Sequence, residues 1–154
     1  MIVMPSKSYS KTAIETLKAE GLRITKPRQL VIDLLDKSKQ ALSAYEIKDL
    51  LDATGEHVDT VSVYRILECL ETHHLIHRIL SSGKVRKCQL EHEDHCHLEQ
   101  EDHCHHLLLC SQCGKIEEVH CPGFDELVNK LEKQSKFKIV THNLEFTGLC
   151  VKCQ

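Results

Sequence analysis

Apolar residues in the first half of the chain recur at three- and four-residue intervals, the spacing that gathers them on one side of an α-helix. From about Ser10 to Glu20, Ala13, Ile14 and Leu17 form one stripe, and Gly21 follows as a residue that ends a helix without strain. Pro27 opens a second helix, where its missing N–H costs no hydrogen bond, with Leu30, Val31, Leu34 and Leu35 as the apolar face. A third begins at Ser43. There Ser43-Ala44-Tyr45-Glu46 has capping-box spacing, with Ile47, Leu50 and Leu51 behind it and Gly55 near its end. A fourth starts near Asp59 or Thr60 and lines up Val63, Leu67 and Leu70, which turns Ser62, Tyr64, Arg65 and Glu68 outward. Leu75 to Leu80, a turn at Ser81-Ser82-Gly83-Lys84, and Val85 to Leu90 then predict a hairpin.

Helices followed by a hairpin make the winged form of the helix-turn-helix, whose last helix enters the major groove while the hairpin rests on the backbone. An exposed Arg65 can reach guanine O6 and N7 together, and the edge of Tyr64 can pack on a thymine methyl. Ser62 lies on the same face, Lys26 and Arg28 can neutralise phosphates, and the wing turn carries Lys84, Arg86 and Lys87. The plainer reading is a half-buried Tyr64 beside a merely solvated Arg65.

The second half has a different composition. Residues 1–87 hold 14 Lys and Arg against 11 Asp and Glu, whereas residues 88–154 hold 6 against 12, with eight of the twelve histidines and eight of the nine cysteines. The predicted organisation is therefore a basic winged-helix domain over 1–90 and a metal-binding dimerisation domain over 91–154, with 91–106 as a His- and Cys-rich connection. Within the second domain, Leu107 to Leu109, Lys115 to Val119 and Phe137 to Phe146 read as strands. A helix after Pro122-Gly123 carries Phe124, Leu127, Val128 and Leu131. The fold class is α+β, and a second domain too short to cover its own apolar faces favours a homodimer.

Cys110 and Cys113, and Cys150 and Cys153, form two Cys-x2-Cys pairs, the spacing of a closed tetrahedral zinc site with no position open to substrate. The competing readings are two disulfides, which require secretion, or scattered core thiols. The chain shows no basic-then-apolar leader and no apolar run of about 18 residues. A cytoplasmic protein with no membrane partner is expected.

Several stretches together resemble the ferric uptake regulator family of bacterial metal-responsive repressors: Leu22 to Arg28, Thr60 to Arg65, Cys110-Ser111-Gln112-Cys113-Gly114-Lys115, and the final Cys-x2-Cys. The resemblance runs from about residue 12 onward. Leu42 to Ile47 and Thr141 to Cys150 are most similar to the zinc uptake regulator branch. It implies a homodimer that binds palindromic double-stranded operator DNA when zinc is plentiful and represses zinc-uptake genes. It also implies a regulatory zinc held by His77, Cys88, His103 and Glu118, hence at least two Zn2+ per chain. A thiolate in that set disfavours iron, which prefers harder ligands. Ala41 stands where iron-branch relatives often carry histidine.

The connection departs from the family. Glu93-Asp94-His95-Cys96-His97 recurs as Glu101-Asp102-His103-Cys104-His105. His95, His97 or His105 can thus replace His103 as ligand, and Cys96 or Cys104 can compete for the ion. A weaker third site, as some relatives have, would use His105 or His106 with Asp125 and His142. A zinc hydrolase is disfavoured: it needs an open three-ligand site with a nearby general base, and although Glu117 beside Glu118 can be argued for that role, no cleft-forming architecture is evident, so neither an enzyme nor a small-molecule substrate is expected. The residues also admit an iron- or peroxide-sensing repressor of the same family, or a zinc buffer or chaperone built on the His-Cys loop.

Overall fold

The computed structural model describes residues 8–89, 105–120, 123–140 and 142–154, and only the backbone of His105, His120 and Asp125. The chain divides into two compact units, Met1–Gln89 and Leu90–Gln154.

The first unit holds α1 (Tyr9–Ala19), α2 (Lys26–Lys37), α3 (Ala44–Ala53), α4 (Thr60–Thr72), β1 (Ile76–Arg78) and β2 (Val85–Lys87). The starts of α2, α3 and α4 are set by side-chain caps. Thr25 accepts from the Arg28 N–H, Asp59 accepts from the Ser62 N–H at 2.9 Å, and Ser43 and Glu46 close a complete capping box. Helix α1 ends at Gly21, whose φ of +74° lets the Leu22 N–H reach back to the Leu17 carbonyl at 2.9 Å. Helix α4 ends without glycine: His74 takes φ +56° and the Leu75 N–H bonds the Leu70 carbonyl.

One core joins these elements, with Leu17 of α1, Val31, Ile32 and Leu35 of α2, Ile47 and Leu51 of α3, and Val63, Leu67 and Leu70 of α4 all buried. Each such side chain contributes about 1.5–3 kcal/mol of burial free energy. Ile32 and Ile66, outside the predicted stripes, are buried as well, whereas Leu50 is 43% exposed. The wing is short. Strands β1 and β2 pair antiparallel with His77 opposite Arg86, and Leu42 adds an isolated bridge to Val85.

The second unit holds β3 (His105–Cys110), β4 (Ile116–His120), α5 (Phe124–Ser135) and β5 (Glu145–Gly148) in a sheet ordered β4-β3-β5. Strand β3 is antiparallel to β4 and parallel to β5, with Cys110 opposite Gly148. The predicted third strand, Phe137 to Phe146, is reduced to β5, because only from Leu107↔Glu145 onward does the backbone lie alongside β3. On α5, Val128 is buried but Leu127 and Leu131 are 47% and 44% exposed. Among the described residues no helix is long and apolar enough to cross a membrane.

Candidate metal centres and nucleic-acid interface

The parallel pairing of β3 and β5 brings both Cys-x2-Cys turns to the same end of the sheet. Strand β3 runs out at Cys110 into a tight turn closed by Gly114 N–H to the Cys110 carbonyl (3.0 Å), with Gly114 at φ +71°. Beyond β5, Cys150 begins the matching turn, closed by Cys153 N–H to the Cys150 carbonyl at 2.8 Å, and the Ser111 N–H ties the turns together through the Gly148 carbonyl at 2.9 Å. As a result the sulfurs of Cys110, Cys113, Cys150 and Cys153 all lie within 4.8 Å of one another. Cys113 Sγ and Cys150 Sγ are 3.6 Å apart. A tetrahedral zinc thiolate site with bonds of about 2.3 Å has sulfur edges of about 3.8 Å, so the spacing fits the ion. None of the six described cysteines is in a disulfide.

The thiols also have unequal acidities. Backbone N–H groups of Cys113 and Cys150 pull the Cys110 thiol down to about 6, the latter donating to its sulfur at 3.4 Å. Hydrogen bonding to Cys150 and Cys113, and then burial, push Cys153 up to about 12. Four thiolates repel one another without a cation among them, whereas a divalent ion at their centre would stabilise all four.

The second predicted set is divided between the units. His77 sits mid-strand in β1, and Cys88 follows β2 directly, held by its N–H to the Leu75 carbonyl at 3.0 Å. The antiparallel register sets the two side by side, their ligand atoms within 4.8 Å. Glu118 stands on β4 opposite Leu107. His103, with its potential substitutes His95 and His97 and the competitors Cys96 and Cys104, lies outside the described residues. Of the candidate third site, His106 is buried and its ring centroid is 5.6 Å from that of His142, with Phe124 against both. His142 Nε2 is buried without a hydrogen-bond partner among the described residues. For His105 and Asp125 the described structure extends to the backbone alone.

On α4, Tyr64 is 41% exposed, and Arg65 is exposed beside it. Tyr64 meets Tyr45 of α3 edge to face, centroids 6.3 Å apart at 86°. Tyr45 carries no functional signal in the sequence, since its place in the capping box marks only a helix start. Ser62 is occupied locally: its hydroxyl and N–H both donate to Asp59. Lys26 is 72% exposed and pairs with Glu56 at 2.8 Å. Arg28 donates to the Arg23 carbonyl, and its Nε is buried. The predicted wing cations are committed within the unit. Lys84 pairs with Glu46, Lys87 pairs with Asp36, and Arg86 is 9% exposed.

A profile of the ferric uptake regulator family matches residues 19–147. The ferric uptake regulation protein of Neisseria gonorrhoeae is 30% identical over 143 residues, 92% of each chain. The peroxide operon regulator of Bacillus subtilis (strain 168) is 29% identical over 143 residues, 93% of this chain and 92% of that one. Among solved structures, a zinc uptake regulator complexed with zinc and DNA shares the fold with a TM-score of 0.79 at 24% identity, over 97% of this chain and 95% of that one. With a winged-helix DNA-binding unit, a cluster of four cysteines that could hold a metal ion and a family match over most of its length, the chain belongs to the ferric uptake regulator family of metal-responsive transcription regulators.

Proposed function

We propose that the protein is a zinc-responsive repressor that binds palindromic operator DNA as a homodimer and controls zinc-uptake genes. The observation that carries zinc is the His77–Cys88 pair: an imidazole and a thiolate side by side on the wing of a DNA-binding unit. A soft thiolate suits zinc and disfavours the harder iron site. Ala41, in place of a histidine, points the same way. The names of the relatives favour a second reading, an iron- or peroxide-responsive regulator.

In the proposed arrangement Cys110, Cys113, Cys150 and Cys153 hold a permanent structural zinc. An exchangeable zinc takes His77 and Cys88 from the first unit and His103 and Glu118 from the second. Because each unit supplies two ligands, occupancy favours one posture of the units. If that posture fits the operator, each tenfold preference of the ion for it adds about 1.4 kcal/mol to DNA affinity. His106 and His142, with His105 and Asp125, are a candidate third position. A homodimer is supported by apolar side chains left uncovered on the second unit: Leu127, Leu131, Phe137 and Val140 are 44–76% exposed. A two-fold dimer matches the symmetry of two half-sites, with Tyr64 and Arg65 as base readers and Lys26 at the backbone.

The deciding experiment is one titration of operator binding against zinc, iron and manganese. Zinc alone should raise affinity at low concentration. A response to iron or manganese without zinc would reject the zinc assignment in favour of the second reading.

A further inference from the structure

Three cations of the hairpin, Arg78 and the two wing cations Lys84 and Lys87, fasten it to three different helices. Arg78 of β1 grips Glu71 of α4 through Nε, 3.0 Å from both carboxylate oxygens, and through Nη2 at 2.7 Å. Lys84 of the turn reaches Glu46 of α3 at 2.7 Å, and the other oxygen of that carboxylate closes the capping box. Lys87 of β2 holds Asp36 of α2 at 2.8 Å, and Asp36 also accepts from the Ser8 hydroxyl and the Ser10 N–H at the start of α1.

These contacts differ in what they constrain. A lysine ammonium is a point charge that tolerates rotation, so Lys84 and Lys87 set distance. The Arg78 guanidinium is a planar fork on a planar carboxylate, which sets orientation as well. Its position is telling: Arg78 follows His77 in β1, and Glu71 lies seven residues after Tyr64, two helical turns or about 10 Å along α4. Successive strand residues face opposite sides, so a ligand drawn to His77 leaves Arg78 free to keep its hold on α4.

We infer that Arg78 is a positioning residue, which carries the state of the His77–Cys88 end of the wing to the recognition helix through its two-point grip on Glu71. The wing is then a lever, with Arg78, Lys84 and Lys87 spent on the helices in place of phosphates. This rests on the zinc-sensing reading above. The Arg78 and Glu71 side chains are 32% and 38% exposed, and pairs so exposed contribute little to stability, so the fold survives the change and the coupling is what is read.

The test uses the full-length protein and Arg78→Lys, which keeps the charge and loses the fork, with Glu71→Gln as the second variant. Chelator competition reads zinc affinity, and operator binding is measured with and without zinc. Zinc affinity should stay within about twofold of wild type, while the zinc-dependent gain in operator affinity falls about two- to thirtyfold in both variants. An unchanged gain in Arg78→Lys overturns the lever while leaving zinc sensing intact. Loss of helical circular dichroism together with all DNA binding in both variants also overturns it, since the grip would then be structural alone. A wild type whose operator affinity ignores zinc overturns the zinc reading and the lever with it.

Discussion

Cys113 Sγ and Cys150 Sγ stand 3.6 Å apart although 37 residues separate them in the chain. The contact exists because β5 runs parallel to β3 and delivers its turn to the edge where β3 has just ended. A parallel pair needs a long crossover, and here α5 lies within it. The sheet and the thiol cluster therefore depend on each other: the turns meet only if the strands register, and an ion among four sulfurs would lock that register.

Cys113→Ser removes one of the four sulfurs of the proposed structural zinc site. Structural zinc supplies about 10–16 kcal/mol in zinc-finger peptides, more than a small α/β unit holds by other means. The variant should carry at least one zinc fewer per chain by elemental analysis and elute as a monomer in size-exclusion chromatography with light scattering. A dimer with full zinc content would remove these thiols from the structural role.

Cys88→Ser acts elsewhere. Lying in the wing of the first unit, Cys88 has no part in the four-cysteine cluster, so the tightly held ion should stay at one per chain. What should disappear is the zinc-dependent rise in operator affinity, read by fluorescence anisotropy over a zinc titration. Retention of that rise would show that the regulatory ion takes other ligands.

Arg65 is exposed on α4, next to the Tyr45–Tyr64 pair. In the proposed role of bidentate base reader it would contribute about 1–3 kcal/mol of discrimination. Arg65→Ala should thus narrow the difference between operator and random duplex by that amount, with little change in the salt slope. Equal losses on both duplexes, with a salt slope reduced by about one, would identify it as a phosphate contact.

The wing pairs predict a pH dependence. Hydrogen bonding from Lys84, then from the Ser43 N–H, holds Glu46 at about 2 against the ordinary 4.5. Burial alone would raise Asp36, but Lys87, Ser8 and Ser10 outweigh it and leave that carboxyl lowered too. A depressed folded-state value means stability that is present above the ordinary value and lost as pH falls toward the folded one. Between about pH 5 and pH 3, Glu46→Gln should therefore lose less melting temperature than wild type, with acid release of metal common to both. Parallel curves would mean that the Lys84–Glu46 pair contributes nothing to folding.

Much of the first unit is legible in the chain because its signals are local. The Ser43 and Asp59 caps, the Gly21 stop and the stripe Val63, Leu67, Leu70 each act within a few residues, and the helices start and bury where these place them. Cysteine spacing likewise announces two ligand turns, since a Cys-x2-Cys turn is a short-range geometry. Tertiary structure decided what depends on distant partners. Leu50, Leu127 and Leu131 repeat like core residues yet stay exposed, because periodicity gives a face and not what covers it. Lys84 and Lys87 read as wing cations for phosphate until Glu46 and Asp36, 38 and 51 residues away, neutralise them. Tyr45 joins the exposed face around Tyr64 only when α3 sets its ring against that residue. Caps, periods and turns are written in neighbouring residues; charge pairing, strand direction and the meeting of thiols are set by packing, which brings together residues that chain order keeps apart.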